Sequence, residues 1–167
     1  MSDKILEIVR PWKGYSIRYA MFDFDGTISL IRQGWQDIMI PYFMEVVKAT
    51  GTTETDAQIH ELVREFVDRL TGKQTIYQCM ALDDAVAERG GPRRDPGEYK
   101  KEYLRRLEER ICDRKKALEQ GADPEEFIVH GALKFIALLQ EKGIPCYLAS
   151  GTDEEDVKYE ASLLGLH

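Results

Sequence analysis

The stretch Ile17-Arg18-Tyr19-Ala20-Met21-Phe22-Asp23-Phe24-Asp25-Gly26-Thr27 decides how the rest of the chain is read. Residues suited to a strand, Tyr19, Met21 and Phe22, run into two carboxylates at alternate positions. Gly26 breaks the strand and permits a sharp turn. The pattern predicts a buried strand over about 17–22, with Asp23 and Asp25 at its carboxyl end. That is where open α/β sheets place their chemistry.

Upstream, residues 4–10 are expected to form a short amphipathic turn before Pro11. Downstream, the periodicity becomes helical. Residues 33–49 are rich in apolar and aromatic side chains, and Pro41 is expected to kink or restart that helix. Residues 56–70 carry Ile59, Leu62, Val63, Phe66, Val67 and Leu70 on one face, with Thr53 or Asp56 as N-cap and Gly72 as a stop. Further helices are predicted over 74–88 and 98–119, the last turning Tyr103 or Leu104, Leu107, Ile111 and Leu118 inward. Between them, Arg89 to Gly97 reads as a solvated, mobile loop by composition, in preference to the alternative that its three arginines reach a substrate phosphate. Residues 28–120 therefore form a helical insert, while 1–27 and 121–167 belong to an α/β core.

In that second core segment, Asp123-Pro124-Glu125-Glu126 predicts a helix start, running to about Lys142 and stopped by Gly143. Ile144 to Ala149 is a second strand, ending at Ser150-Gly151-Thr152. Thr152-Asp-Glu-Glu155 reads as the capping box of a last helix. A right-handed crossover would make the two strands parallel neighbours. Asp23, Asp25, Ser150 and the Gly151 amide, placed at a helix N-terminus, would then converge. Carboxylates suit a hard cation such as Mg²⁺. A hydroxyl and free amides suit phosphoryl oxygens.

The chain has 167 residues, 43% hydrophobic and 32% charged, with a formal net charge of -7. That balance excludes a nucleic-acid binder working by bulk charge. No apolar run approaches a membrane span. The opening Met1 to Arg10 does not read as a signal peptide. Cys79, Cys112 and Cys146 are scattered, as expected of reduced thiols in a cytoplasmic protein. No histidine has metal-type spacing: His60 is expected on a surface, His130 inside a helix, and His167 is terminal.

Asp23-Phe24-Asp25-Gly26-Thr27 after an apolar strand resembles the first motif of the haloacid dehalogenase superfamily. The strand ending in Ser150 resembles its second motif. The helical insert lies where the branch resembling phosphoglycolate phosphatase and phosphoglucomutase carries a cap. The resemblance implies a Rossmann-like core, partial here, with parallel strands and an inserted α-helical cap. It implies that Asp23 is the nucleophile and a metal ligand. Asp25 would be the general acid/base, its main-chain carbonyl also facing Mg²⁺. Ser150 would hold phosphate beside Gly151. Gly26 and Thr27 would be turn residues leading into the cap. Arg32, Gln33 and Trp35 are candidates to contact the leaving group, against plain packing or solvation. The acid at Asp25 favours phosphate esters over dehalogenation.

Two further motifs of the family, a lysine and a later acidic pair, are expected beyond residue 167, so the chain reads as the N-terminal part of such an enzyme. Neither Asp83-Asp84, on a helix of the insert, nor Lys158 reads as their substitute. The expectation is a Mg²⁺-dependent phosphatase acting on a small phosphorylated metabolite through an aspartyl-phosphate. The alternatives are a sugar phosphomutase, or a non-catalytic fragment or binding module completed by a partner or a second copy. No nucleic-acid or membrane partner is expected.

Overall fold

The computed structural model describes residue 14 and residues 16–166. The proposed turn over 4–10 and His167 lie outside the described residues. The molecule is mixed α/β and mostly helical, with one short parallel sheet.

Strand β1, Ala20–Asp23, pairs with β2, Cys146–Ala149, in the register Ala20↔Cys146 through Asp23↔Ala149. The alternation of side chains puts Phe22 and Leu148 on one face, Met21 and Tyr147 on the other. On the first face Phe22 meets Phe135 edge to face, with ring centroids 6.0 Å apart. The other face is open: Met21 is 70% and Tyr147 59% exposed. The strand core expected at 17–22 is thus shorter, and it is covered on one side only.

After β1 the chain folds into a tight turn. The Phe24 carbonyl accepts from the amides of Thr27, Ile28 and Ser29, and the Gly26 amide donates to the Ser29 carbonyl at 2.8 Å. Gly26 has φ +80°, a conformation that favours glycine. Phe24, Ile28 and Ile31 then plunge into the core, each no more than 1% exposed.

Helices α1 (Gln36–Lys48), α2 (Asp56–Leu70), α3 (Thr75–Glu88) and α4 (Pro96–Glu119) follow. They pack as a bundle in which α1 touches the other three. Its core includes Phe43, Val47, Ile59, Val63, Leu82, Tyr103, Leu107 and Ile111. The N-cap of α2 is Thr55, not Thr53 or Asp56: its hydroxyl accepts from the Gln58 amide, and Gln58 returns a bond to the Thr55 amide. Helix α1 continues through Pro41 without restarting. The lost amide leaves one carbonyl unpaired on an exposed face, where water can serve it.

The arginine loop is held down rather than mobile. Arg89 grips Glu54 at 2.5 and 2.8 Å. Arg93 bridges Asp83 and Asp84 at 2.8 and 3.0 Å, and Asp83 also accepts from the Arg94 amide. The paired acids on α3 are thereby accounted for.

The helix predicted over 123–142 is two pieces. Pro124–Phe127 is a single 3-10 turn, capped by Asp123. Ile128 then extends to bridge Ser29. The Leu30 amide donates to the Phe127 carbonyl at 2.8 Å, and the Val129 amide to the Ile28 carbonyl at 2.9 Å. This ladder ties together the two passages between sheet and bundle. A helix there would leave those groups on 28–30 without partners. Helix α5 starts only at Ala132 and runs to Glu141, so His130 sits in an exposed turn. Helix α6 is Glu154–Leu163, and Asp153, not Thr152, is its N-cap, without a side-chain capping bond.

Three further ties join bundle and sheet layer. Lys100 on α4 pairs with Asp153 at 2.7 Å. The Tyr159 hydroxyl meets Glu119. Arg114 donates to the carbonyls of Ile31 and Gln33 at 2.7 and 2.9 Å.

Candidate active site

Asp23 and Asp25 reach one small cavity because β1 ends between them and Phe24 is locked into the core. The cavity measures about 120 Å³. Sheet-side turns contribute Asp23, Asp25, Gly151 and Thr152; the bundle contributes Lys73, Gln78 and Tyr103 among others. A larger open groove of about 820 Å³ lies elsewhere, against Phe22, Leu148 and Val157. Neither Asp23 nor Asp25 lines it, so the small cavity is the chemical candidate.

Asp23 is exposed and accepts a bond from the Thr27 hydroxyl at 3.0 Å. Thr27 is therefore more than a turn residue. Asp25 is half-buried, with its two oxygens in different surroundings. Oδ2 accepts from the Thr152 hydroxyl at 2.7 Å and, at 3.4 Å, from the Ser150 hydroxyl. Oδ1 is buried and has no partner among the described residues. A lone buried carboxylate oxygen is costly unless it receives a proton or a ligand.

Ser150 is turned differently from the expectation. Its Oγ accepts from the Thr152 amide at 3.0 Å and leans toward Asp25, and the residue lines the larger groove. Gly151 and Thr152 are the members of that turn that line the small cavity. Gly151 lies two positions before Asp153, the N-cap of α6, and so is not at the helix N-terminus. Thr152 reads in sequence as a helix cap; its place in the cavity and its bond to Asp25 come only from the tertiary structure.

Arg32 and Trp35 line the cavity; Gln33 does not, and its side chain is exposed. Arg32 is buried, its Nε 3.0 and 3.1 Å from the two Glu160 oxygens and its Nη2 2.8 Å from Glu160 and 3.0 Å from Asp156. Its charge is thus already balanced. Burial works to lower the Arg32 pKa, but the hydrogen bonds and charges of Glu160, Asp25 and Asp156 together outweigh it and raise the value overall. Burial also pushes the Glu160 carboxyl up, with Arg32 pulling it back only in part. Tyr103, expected to pack in the bundle, does so at 3% exposure and also forms a cavity wall. Burial raises its pKa and keeps its hydroxyl protonated. Gln78, buried, donates to the Val67 carbonyl at 3.3 Å. Lys73 and Gln78 had no local sequence signal; only the closure of the α2–α3 loop over the sheet brings them here.

Lys158 is exposed and pairs with Glu154, as expected of a surface residue. No group of three or more His, Cys, Asp or Glu is placed to hold a metal among the described residues. Among those residues, no helix is long and apolar enough to cross a membrane. Compared with known proteins, the sequence matches no family model and no curated protein.

Proposed function

We propose that this chain carries the nucleophile and the general acid of a Mg²⁺-dependent phosphatase of the haloacid dehalogenase type, acting on a small phosphorylated metabolite. In that reading the sheet belongs to a Rossmann-like core and the bundle is its cap. The observation that carries it is the convergence of Asp23, Asp25 and the Gly151–Thr152 turn on one small cavity that residues of the bundle also line. At about 120 Å³ the cavity is well below the 300–1,000 Å³ of sites for drug-sized ligands, which favours a small substrate.

Asp23 would attack phosphorus, forming an acyl phosphate as the bond to the leaving oxygen breaks. Asp25 would give that oxygen its proton from Oδ1, the atom without a partner. Water would then attack phosphorus, return a proton to Asp25 and release Asp23. The two hydroxyls on Oδ2 hold the Asp25 carboxyl in place throughout.

The donor set fits Mg²⁺, which binds through one or two carboxylates with water and substrate oxygens. Asp23 offers a carboxylate. The Asp25 carbonyl receives none of the backbone hydrogen bonds of its turn among the described residues, and so is free to face a cation. Bound there, the ion would supply charge neutralisation of the phosphate.

The test is turnover of p-nitrophenyl phosphate with Mg²⁺ by wild type and Asp23→Asn. Loss of turnover in the variant supports the mechanism; turnover that survives it rejects the mechanism. Product analysis with sugar phosphates separates phosphatase from phosphomutase.

A second reading rests on the open sheet. Met21, Tyr19 and Tyr147 are 59–70% exposed, and the described residues form only two strands. A module completed by a second copy or another chain would cover them. Sedimentation of the isolated chain distinguishes the two: a monomer with turnover favours the enzyme, a tight oligomer without turnover the module.

A further inference from the structure

The cavity carries a charge imbalance. Asp23 and Asp25 line it, and Arg32 is already neutralised by Glu160 and Asp156. In the phosphatase reading Asp25 enters protonated, and a phosphate dianion beside the Asp23 carboxylate leaves net negative charge even with Mg²⁺ bound, so a cation from the protein would complete the balance. Lys73 is the other cationic residue lining the cavity, and no carboxylate among the described residues lies within ion-pair distance of it.

Its position is set by backbone packing. Lys73 sits in the turn between α2 and α3, held by the hydrogen bond its backbone amide donates to the Leu70 carbonyl at 3.1 Å. That turn rests directly on Gly151. A Cβ added at Gly151 would run into the Lys73 carbonyl, 2.9 Å from its carbon and 3.4 Å from the Gln74 nitrogen. Glycine at 151 is therefore required for the α2–α3 loop to seat on the sheet-side turn, here by close approach rather than by backbone angle.

We propose that Lys73 is the cation that binds the phosphoryl group in this cavity, and that Gly151 is the seat that lets the bundle deliver it. This rests on the phosphatase reading and adds to it a residue from the helical bundle. The bundle then supplies charge to the reacting group itself as well as shape for the leaving group. Closure and electrostatic complementarity become one event: with the loop lifted, the two aspartates face an anion without Lys73.

The experiment measures binding of inorganic phosphate by calorimetry, in magnesium-containing buffer, alongside turnover of p-nitrophenyl phosphate. The proteins are wild type, Lys73→Gln, Lys73→Arg and Gly151→Ala. Lys73→Gln should weaken phosphate at least tenfold through the loss of one charge-assisted contact. Lys73→Arg should stay within a few-fold of wild type. Gly151→Ala should lose binding as Lys73→Gln does, with an unchanged far-UV spectrum and urea midpoint showing that the fold persists. Phosphate binding that Lys73→Gln leaves within twofold of wild type overturns this inference and leaves the phosphatase reading standing. Wild type that binds no phosphate overturns both.

Discussion

The Arg32–Glu160 pair allows the sharpest test of how the two segments of the chain are joined. Their side chains are 8% and 1% exposed and share three contacts between 2.8 and 3.1 Å. Glu160→Gln keeps the shape, removes the charge and presents an amide N–H to a guanidinium that can only donate. Breaking one side of a buried pair costs about 3–5 kcal/mol, because the surviving charge stays buried. Asp156 remains 3.0 Å from Arg32, but it is nearly half exposed and compensates only in part. The expected loss is about 2–4 kcal/mol. With a urea slope of about 2 kcal/mol per molar, the midpoint should fall by about 1–2 M at pH 7. Arg32→Met combined with Glu160→Leu should recover to within about 1 kcal/mol of wild type, since removing both charges removes the desolvation cost. A Glu160→Gln midpoint within about 0.2 M of wild type refutes the reasoning. So does a double variant no better than the single one.

Pro41 lies at an exposed position inside an otherwise continuous helix, so Pro41→Ala should stabilise by about 1–3 kcal/mol, read as a higher calorimetric Tm; an unchanged Tm would contradict this. The hydrogen bonds from Arg89 and Thr52 hold the Glu54 carboxyl down at about 2. Because that value is depressed, its contribution to stability is present above the ordinary value of 4.5 and lost as pH falls toward 2. Glu54→Gln should then differ from wild type in urea midpoint at pH 7 and converge with it at pH 2; a constant gap would place the effect elsewhere. Burial pushes the Cys79 thiol up to about 12, whereas Cys112 and Cys146 are only half-buried. An aromatic disulfide reagent at pH 8 should label Cys112 and Cys146 in the folded protein and Cys79 only in urea, as peptide mapping would show.

Much of the local structure is legible in the residues. Helix α2 shows its inward face through Ile59, Val63, Phe66 and Val67, because one helix face repeats every three to four residues. The end of β1 at two acids, and its parallel pairing with β2, follow from strand composition and crossover handedness. The break at Ile128 does not. Asp123-Pro124-Glu125-Glu126 is a sound helix start by local rules, and the helix stops because Phe127, Ile128 and Val129 pair with Ile28 to Leu30. A partner about a hundred residues away leaves no trace in local spacing.

The candidate site divides in the same way. Asp23 and Asp25 could be picked out from sequence because acids closing an apolar strand are a local anomaly. Thr152 looked like a helix cap, and its hydroxyl is found on Asp25. Arg32 reads in sequence as either a leaving-group contact or a solvated side chain, and two carboxylates of α6 hold it. Lys73 looked like nothing in particular until the α2–α3 turn came down on Gly151. The sequence alone determined where the two acids stand and which faces of the helices are buried, since both follow from period and composition. Only the tertiary structure decided which charges are already balanced and which cation lines the cavity without an ion pair among the described residues. Those depend on approach distances between segments whose separation along the chain carries no pattern.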